Sequence, residues 1–304
     1  MLDYTIYFPK NLSQQSNSVT NILKQFNKLN STMAPANVIL NFTGTFFIGG
    51  EMTALVTAMV KILQEDGFTV KITKFQRSVG NILQRNGFLE TLGVMEHHED
   101  DKKTVIPLFV GYSQDENTIM KDYLNNKVFS FVQWPNKLHG KNHEIETINS
   151  AISETTRNIS EHSGSNTVFM CGQFYPTLNH LRLTIVDTGV SIPINLRNHV
   201  EKLKKENDTT LLDWATASGN STKDTIASGL GLFSIKENLV GEGEFTIISN
   251  NAFWKQSSSG TVIKKNMACT MPGTFIHLNF YLGSDKNNND NYQLNDTINY
   301  DLLF

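Results

Sequence analysis

The chain has 304 residues, roughly twice a typical domain length of ~150, and 39% of them are hydrophobic, enough for real cores. A formal charge of −3 gives no electrostatic reason to expect nucleic acid or an anionic membrane as partner. The two cysteines, Cys171 and Cys269, lie outside any C-x-x-C spacing, which argues against a metal knuckle or a disulfide scaffold and suits a reducing compartment.

The N-terminus MLDYTIYFPK carries Asp3 and no long apolar run, so no signal peptide is expected. The most apolar helical stretch, TALVTAMVKIL, is too short to span a bilayer and contains Lys61, so the expected location is the cytoplasm. Residues 17–30 place Val19, Ile22, Leu23 and Phe26 at helical spacing. VILNF (Val38–Phe42) reads as a strand, TGTFFIGG as a loop, Glu51–Asp66 as a helix, FTVKI as a strand and SVGNILQRNGFLETLG as a helix broken at Gly87. This alternation predicts a small α/β domain over 1–113. Residues 114–140 are irregular and read as a linker.

From Asn142 a helix is expected to His162, then the strand LRLTIVD, a helix around 194–206, a polar segment at 207–228, a helix in GLGLFSIKENL, and the strands FTIIS and TFIHLNFYL. These define a second domain over 141–283. The Asn- and Asp-rich stretch 284–304 reads as a polar tail.

Four pieces carry chemistry. Glu154, Asn158 and His162 are spaced four apart and form one polar stripe on a helix, which faces water or a ligand. IVDTGVSIP delivers Asp187 to the end of an apolar strand, and Gly189 lets the backbone turn, leaving room for a flat base. ASGLGLFSIKE puts Gly229 and Gly231 at a helix N-terminus, where free N–H groups and the helix dipole favour an anion. PGTFIHLNF opens the last strand with Gly273 and Thr274. Each piece alone is commonly a turn, a cap or a solvated face. All four in this order are hard to obtain by chance.

Together they resemble the GHKL ATP-binding fold of gyrase B, histidine kinases and MutL. Glu154–Asn158–His162 resembles its N-box, Asp187–Pro193 its G1 box, Gly229-Leu230-Gly231-Leu232 its G2 box, and GNSTKDTIASGLGL its lid. The N-box pattern is closest to the anti-sigma-factor kinase branch. The resemblance implies an α/β (α+β) architecture: a Bergerat-type sandwich with a mixed sheet, beside an N-terminal domain similar to STAS domains. It implies ATP and Mg²⁺ as cofactors, with Asn158 coordinating the metal and Glu154 activating or orienting the nucleophile. Asp187 would read adenine, and Gly189, Ile192, Leu230, Leu232 and Thr274 would complete the binding site. Gly229 and Gly231 would admit the phosphates, with Lys223 as a charge partner and Arg157 and His162 flanking the site.

Ser191 departs from the usual D-x-G-x-G, and its Cβ is expected to restrict the turn. The junction Ile48-Gly49-Gly50-Glu51 lacks the hydroxyl that phosphorylated STAS domains carry there. The implied activity is ATP hydrolysis coupled to a protein partner in bacterial signalling, stress response or defence. The alternatives are a protein serine kinase and a non-hydrolysing ATP-binding scaffold. Kinship also implies pairing into a homodimer.

Overall fold

The computed structural model describes residues 2–29, 31–98, 100–112, 119–129, 142–165, 167–220 and 231–282. In the first part of the chain β1 (Asp3–Tyr7), β3 (Asn37–Asn41) and β5 (Thr69–Ile72) form a parallel sheet in the order β1-β3-β5. The short strands β2 (Asn11–Leu12) and β4 (Phe47–Ile48) pair beside it. Parallel pairing needs crossovers, and α1 (Ser16–Phe26) and α2 (Thr53–Glu65) supply them. Val19, Ile22, Leu23 and Phe26 are the buried side of α1, as their spacing predicts. In α2, every residue from Thr53 to Val60 is buried, the mark of a helix held between two layers. α3 (Arg77–Arg85) ends before Gly87, whose φ of 84° suits glycine, and α4 (Phe88–Thr91) follows.

The second layer is a five-stranded sheet in the order β6-β7-β8-β10-β9, made of β6 (Val105–Tyr112), β7 (Thr167–Tyr175), β8 (His180–Asp187), β9 (Gly243–Gln256) and β10 (Val262–Tyr281). All four pairings are antiparallel, so the expected mixed sheet is corrected. The reason is connection length: β7 turns into β8, and β9 into β10, through short loops that only antiparallel neighbours accept. The molecule is therefore α+β, and among the described residues its parallel strands lie within the first 72 and its antiparallel sheet further on.

The sheet is covered on both faces. One face carries Leu183, Ile185, Ile247 and Ile276 and packs against a helical layer. That layer contains α5 (Ile119–Tyr123), α6 (Asn142–Asn158) and α9 (Gly231–Asn238). Single π turns, Leu124–Val128 and Ile159–Ser163, extend α5 and α6. The shorter helices α7 (Ile192–His199) and α8 (Asp208–Ala215) build a satellite core around Leu196, Leu203 and Leu211. The opposite face carries Phe169, Cys171, Val186, Ile248 and Phe275, which share one continuous core with α1 and α2.

Two features differ from the expected division. β6 lies within 1–113 but pairs with β7, so it belongs to the second sheet. α5 and its π turn lie within 114–140 and contribute Met120, Leu124 and Val128 to the helix-side core. The remainder of that span and the tail 284–304 lie outside the described residues. Among the described residues no helix is long and apolar enough to cross a membrane.

Candidate functional site

The site begins at one row of the sheet. β8 ends at Asp187, which sits opposite Val168 on β7 and Thr274 on β10, and Thr274 sits opposite Ser249 on β9. Strand alternation turns Asp187 to the side of Leu183 and Ile185, beneath the helical layer. The residue is almost wholly buried, and burial pushes its carboxyl up from 3.8 to about 7. Hydrogen bonds from the Gly189 N–H, the Ser163 side chain and the Thr274 backbone oppose that rise. The first of these measures 2.9 Å to Asp187 Oδ1.

The loop after Asp187 is tied to the end of α6. Val190 N–H donates to the Ser163 carbonyl at 2.6 Å, and a Cβ on Gly189 would meet that same carbonyl oxygen at 2.2 Å. The glycine is thus needed for backbone contact with the π turn. The close approach that Gly189 permits is to the Ser163 carbonyl. Gly273 behaves alike: its φ is 79° and an added Cβ would lie 2.2 Å from the Asp187 carbonyl. Asn195 Nδ2 on α7 donates to the His162 carbonyl at 2.9 Å, a second tie between this loop region and the π turn.

The other end of the polar stripe meets α9. A Cβ on Gly231 would fall 1.8 Å from Glu154 Oε1, so the Glu154 carboxylate lies directly over the first residue of that helix. Glu154 is also paired with Arg157, whose side chain is largely exposed. Asn158 lies on α6 between the Gly231 contact and the Ser163 contact. Its Nδ2 is buried without a hydrogen-bond partner. His162 falls in the π turn, whose i to i+5 bonding rotates it off the line of Glu154 and Asn158. Its ring lies 3.8 Å from Glu161. The stripe therefore has two members on α6 and a displaced third.

A scan against protein-family models gave no match, and a search of curated proteins gave none either.

Among the other expected site residues, Ile192 donates its N–H to Ser249 Oγ at 3.0 Å, and Thr274 Oγ1 shares a 2.9 Å hydrogen bond with the same oxygen. Ser249 was not singled out from sequence, although a small hydroxyl ending the apolar run FTIIS is the signal that marks it. Leu232 is half-buried against the helix-side core. Lys223, Gly229 and Leu230 lie outside the described residues. Ser191 has φ −64° and ψ 151°, an ordinary extended conformation, so its Cβ does not restrict the turn as expected. Trp214 packs on the satellite core, with Lys202 Nζ 5.9 Å from its ring centre.

Proposed function

We propose that the chain is a Mg-ATP-binding protein of the GHKL type whose nucleotide state governs a protein interaction. One observation carries this: three stretches far apart in sequence meet along a single helix. Glu154 lies over Gly231, and four to five residues beyond Asn158 the same helix end holds the loop of Asp187 and Gly189.

The residues suit the cofactors. Asn158 has a buried amide with an unpartnered Nδ2, and its oxygen is a hard ligand of the kind Mg²⁺ takes. Among the described residues no group of three His, Cys, Asp or Glu is arranged to hold a metal, so a cation here would take further oxygens from the phosphates and water. Mg²⁺, when bound, neutralises phosphate charge. Asp187 accepts a hydrogen bond from the purine amine. Gly231 opens an eight-residue helix whose N-terminal amides favour anions. Glu154 orients the attacking nucleophile.

A second reading, binding without turnover, is favoured by the Glu154–Arg157 pair, which engages the carboxylate inside the protein. Phosphorylation of the chain's own N-terminal part has less support. Glu51, at the loop–helix junction, contacts Tyr175 and Arg182. Arg182 is five residues from Asp187 on β8, roughly 16 Å at strand rise.

The test is calorimetric titration of the full chain with Mg-ATP. Asp187→Asn is expected to lower affinity at least tenfold. Unchanged affinity, or no binding by the parent chain, rejects the proposal.

A further inference from the structure

Parallel pairing sends the loops that follow β1, β3 and β5 to one end of the sheet. Hydrogen bonds tie them together there. Phe46 N–H donates to the Lys10 carbonyl at 2.8 Å, Thr43 Oγ1 to the Lys74 carbonyl at 3.3 Å, and Ser78 Oγ to the Phe46 carbonyl at 3.3 Å. Lys10, Phe46, Lys74 and Arg77 are therefore neighbours on one surface, and all four are exposed. Phe46 shows 52% of its area, with Lys10 Nζ 5.5 Å from the ring centre.

Among these loops no acid offsets the three cations. Residues 8–18, 41–50 and 73–84, which hold the loops and the helix starts beside them, contain neither Asp nor Glu. Glu51, the next acid after the second stretch, is buried and engaged with Tyr175 and Arg182. α1 and α3 also begin here. Neither has an acid in its first turn or a side-chain cap, so their leading N–H groups add to the positive field. Soluble surfaces ordinarily mix both signs. In a chain of net charge −3, an end carrying one sign around a bare aromatic ring suits an acidic occupant.

The chain contains such an occupant. Residues 284–304 hold Asp285, Asp290, Asp296 and Asp301 against one base, Lys286, and include Leu302, Leu303 and Phe304. The last described residue lies close by. Leu282 N–H donates to the Asn179 carbonyl at 2.8 Å, Leu178 packs with Tyr175 and Phe47, and Phe47 N–H donates to the Lys10 carbonyl at 3.3 Å. A short series of contacts thus leads from Leu282 to Lys10, and about ten residues can span up to roughly 33 Å. We propose that the basic, aromatic end of the parallel sheet is a docking surface for residues 284–304 of the same chain. Lys74 and Arg77 pair with the aspartates, and Phe46 receives the apolar side chains. The surface belongs to the first layer and does not depend on the nucleotide proposal.

A chain cut to residues 1–283 keeps every described residue and leaves the surface vacant. A synthetic peptide of residues 284–304 is expected to bind it one to one by calorimetry, and to weaken by about tenfold when salt rises from ~0.05 to ~0.5 M. The full chain is expected to bind the same peptide about tenfold more weakly, because its own segment competes from within the molecule. Lys74→Glu combined with Arg77→Glu reverses two exposed charges. In the cut chain this pair is expected to weaken the peptide by about tenfold while the melting temperature stays within about 2 °C of the parent. Carbodiimide coupling of the full chain, read by mass spectrometry, is expected to join Lys10 or Lys74 to an aspartate of 284–304 within one chain. No binding by the cut chain overturns the proposal, as does equal affinity for the cut and full chains or for the charge-reversed variant. Coupling found only between chains assigns the surface to a second copy and overturns docking within the molecule.

Discussion

Asp187 concentrates the chemistry of the site in one side chain. Burial raises its carboxyl to about 7, so near neutral pH both forms are populated. Accepting a hydrogen bond from a purine amine favours the ionised form. Nucleotide affinity should therefore rise by about tenfold between pH 6 and pH 8, measured by calorimetry at constant salt, and the dependence should vanish in Asp187→Asn. Stability has the opposite sign. A carboxyl raised from 3.8 contributes most below that value, and its contribution fades as pH climbs through about 7. Glu154→Ala should abolish phosphate release while affinity changes less than threefold, because the side chain is proposed to act on the nucleophile. Persisting turnover would require another base. At this scale the sequence marks the participants well, since an acid ending an apolar strand and an amide one helical turn past a carboxylate are visible as letters. It hides why Gly189 is glycine: the carbonyl it touches belongs to Ser163, and only the fold brings the two together.

The elements around the site differ in how legible they are. α1 follows from helical periodicity, and α2, β3 and β8 follow from apolar runs closed by turn residues. β7 does not, because Gly172 and Gln173 interrupt the apolar run of TVFMCGQFY although nearly every residue is buried. α8 hides in a polar segment, although Asn207 caps it by accepting the Thr210 N–H at 2.9 Å, a signal that capping chemistry makes readable. The π turn at Ile159–Ser163 is invisible to a count of four and moves His162 off the stripe. Two substitutions separate close contact from backbone strain in the loop after β8. Gly189→Ala puts a methyl on a carbonyl that cannot yield and should destabilise by about 3 kcal/mol, read from denaturant midpoints. Ser191→Gly should leave nucleotide affinity within twofold and cost roughly 0.5–1 kcal/mol, since φ there is already ordinary.

For the molecule as a whole, the decisive fact is a sheet buried on both faces. A boundary near 113 follows from the sequence, yet β6 lies before it and pairs with β7 beyond it, and the core beneath α1 and α2 includes Phe169, Val186 and Phe275 from beyond it. Hydrophobic patterning does not reveal this, because a strand's letters do not say which layer covers each side. A fragment spanning 142–283 loses β6 and uncovers that apolar face. It should aggregate on size exclusion and bind the dye ANS, whereas the full chain should elute as a discrete species and leave the dye dark. A monomeric, dye-silent fragment would show that the two parts fold independently.

The contact between α1 and β10 also sets an order of events during synthesis. Asn27 donates to the Thr270 carbonyl at 2.9 Å, so the first helix leans on the last strand. β10 lies between β8 and β9, leaving a gap in the sheet until its residues leave the ribosome. Over most of translation the nascent N-terminal helices wait with their oily sides bare, and closure comes in one late, long-range step.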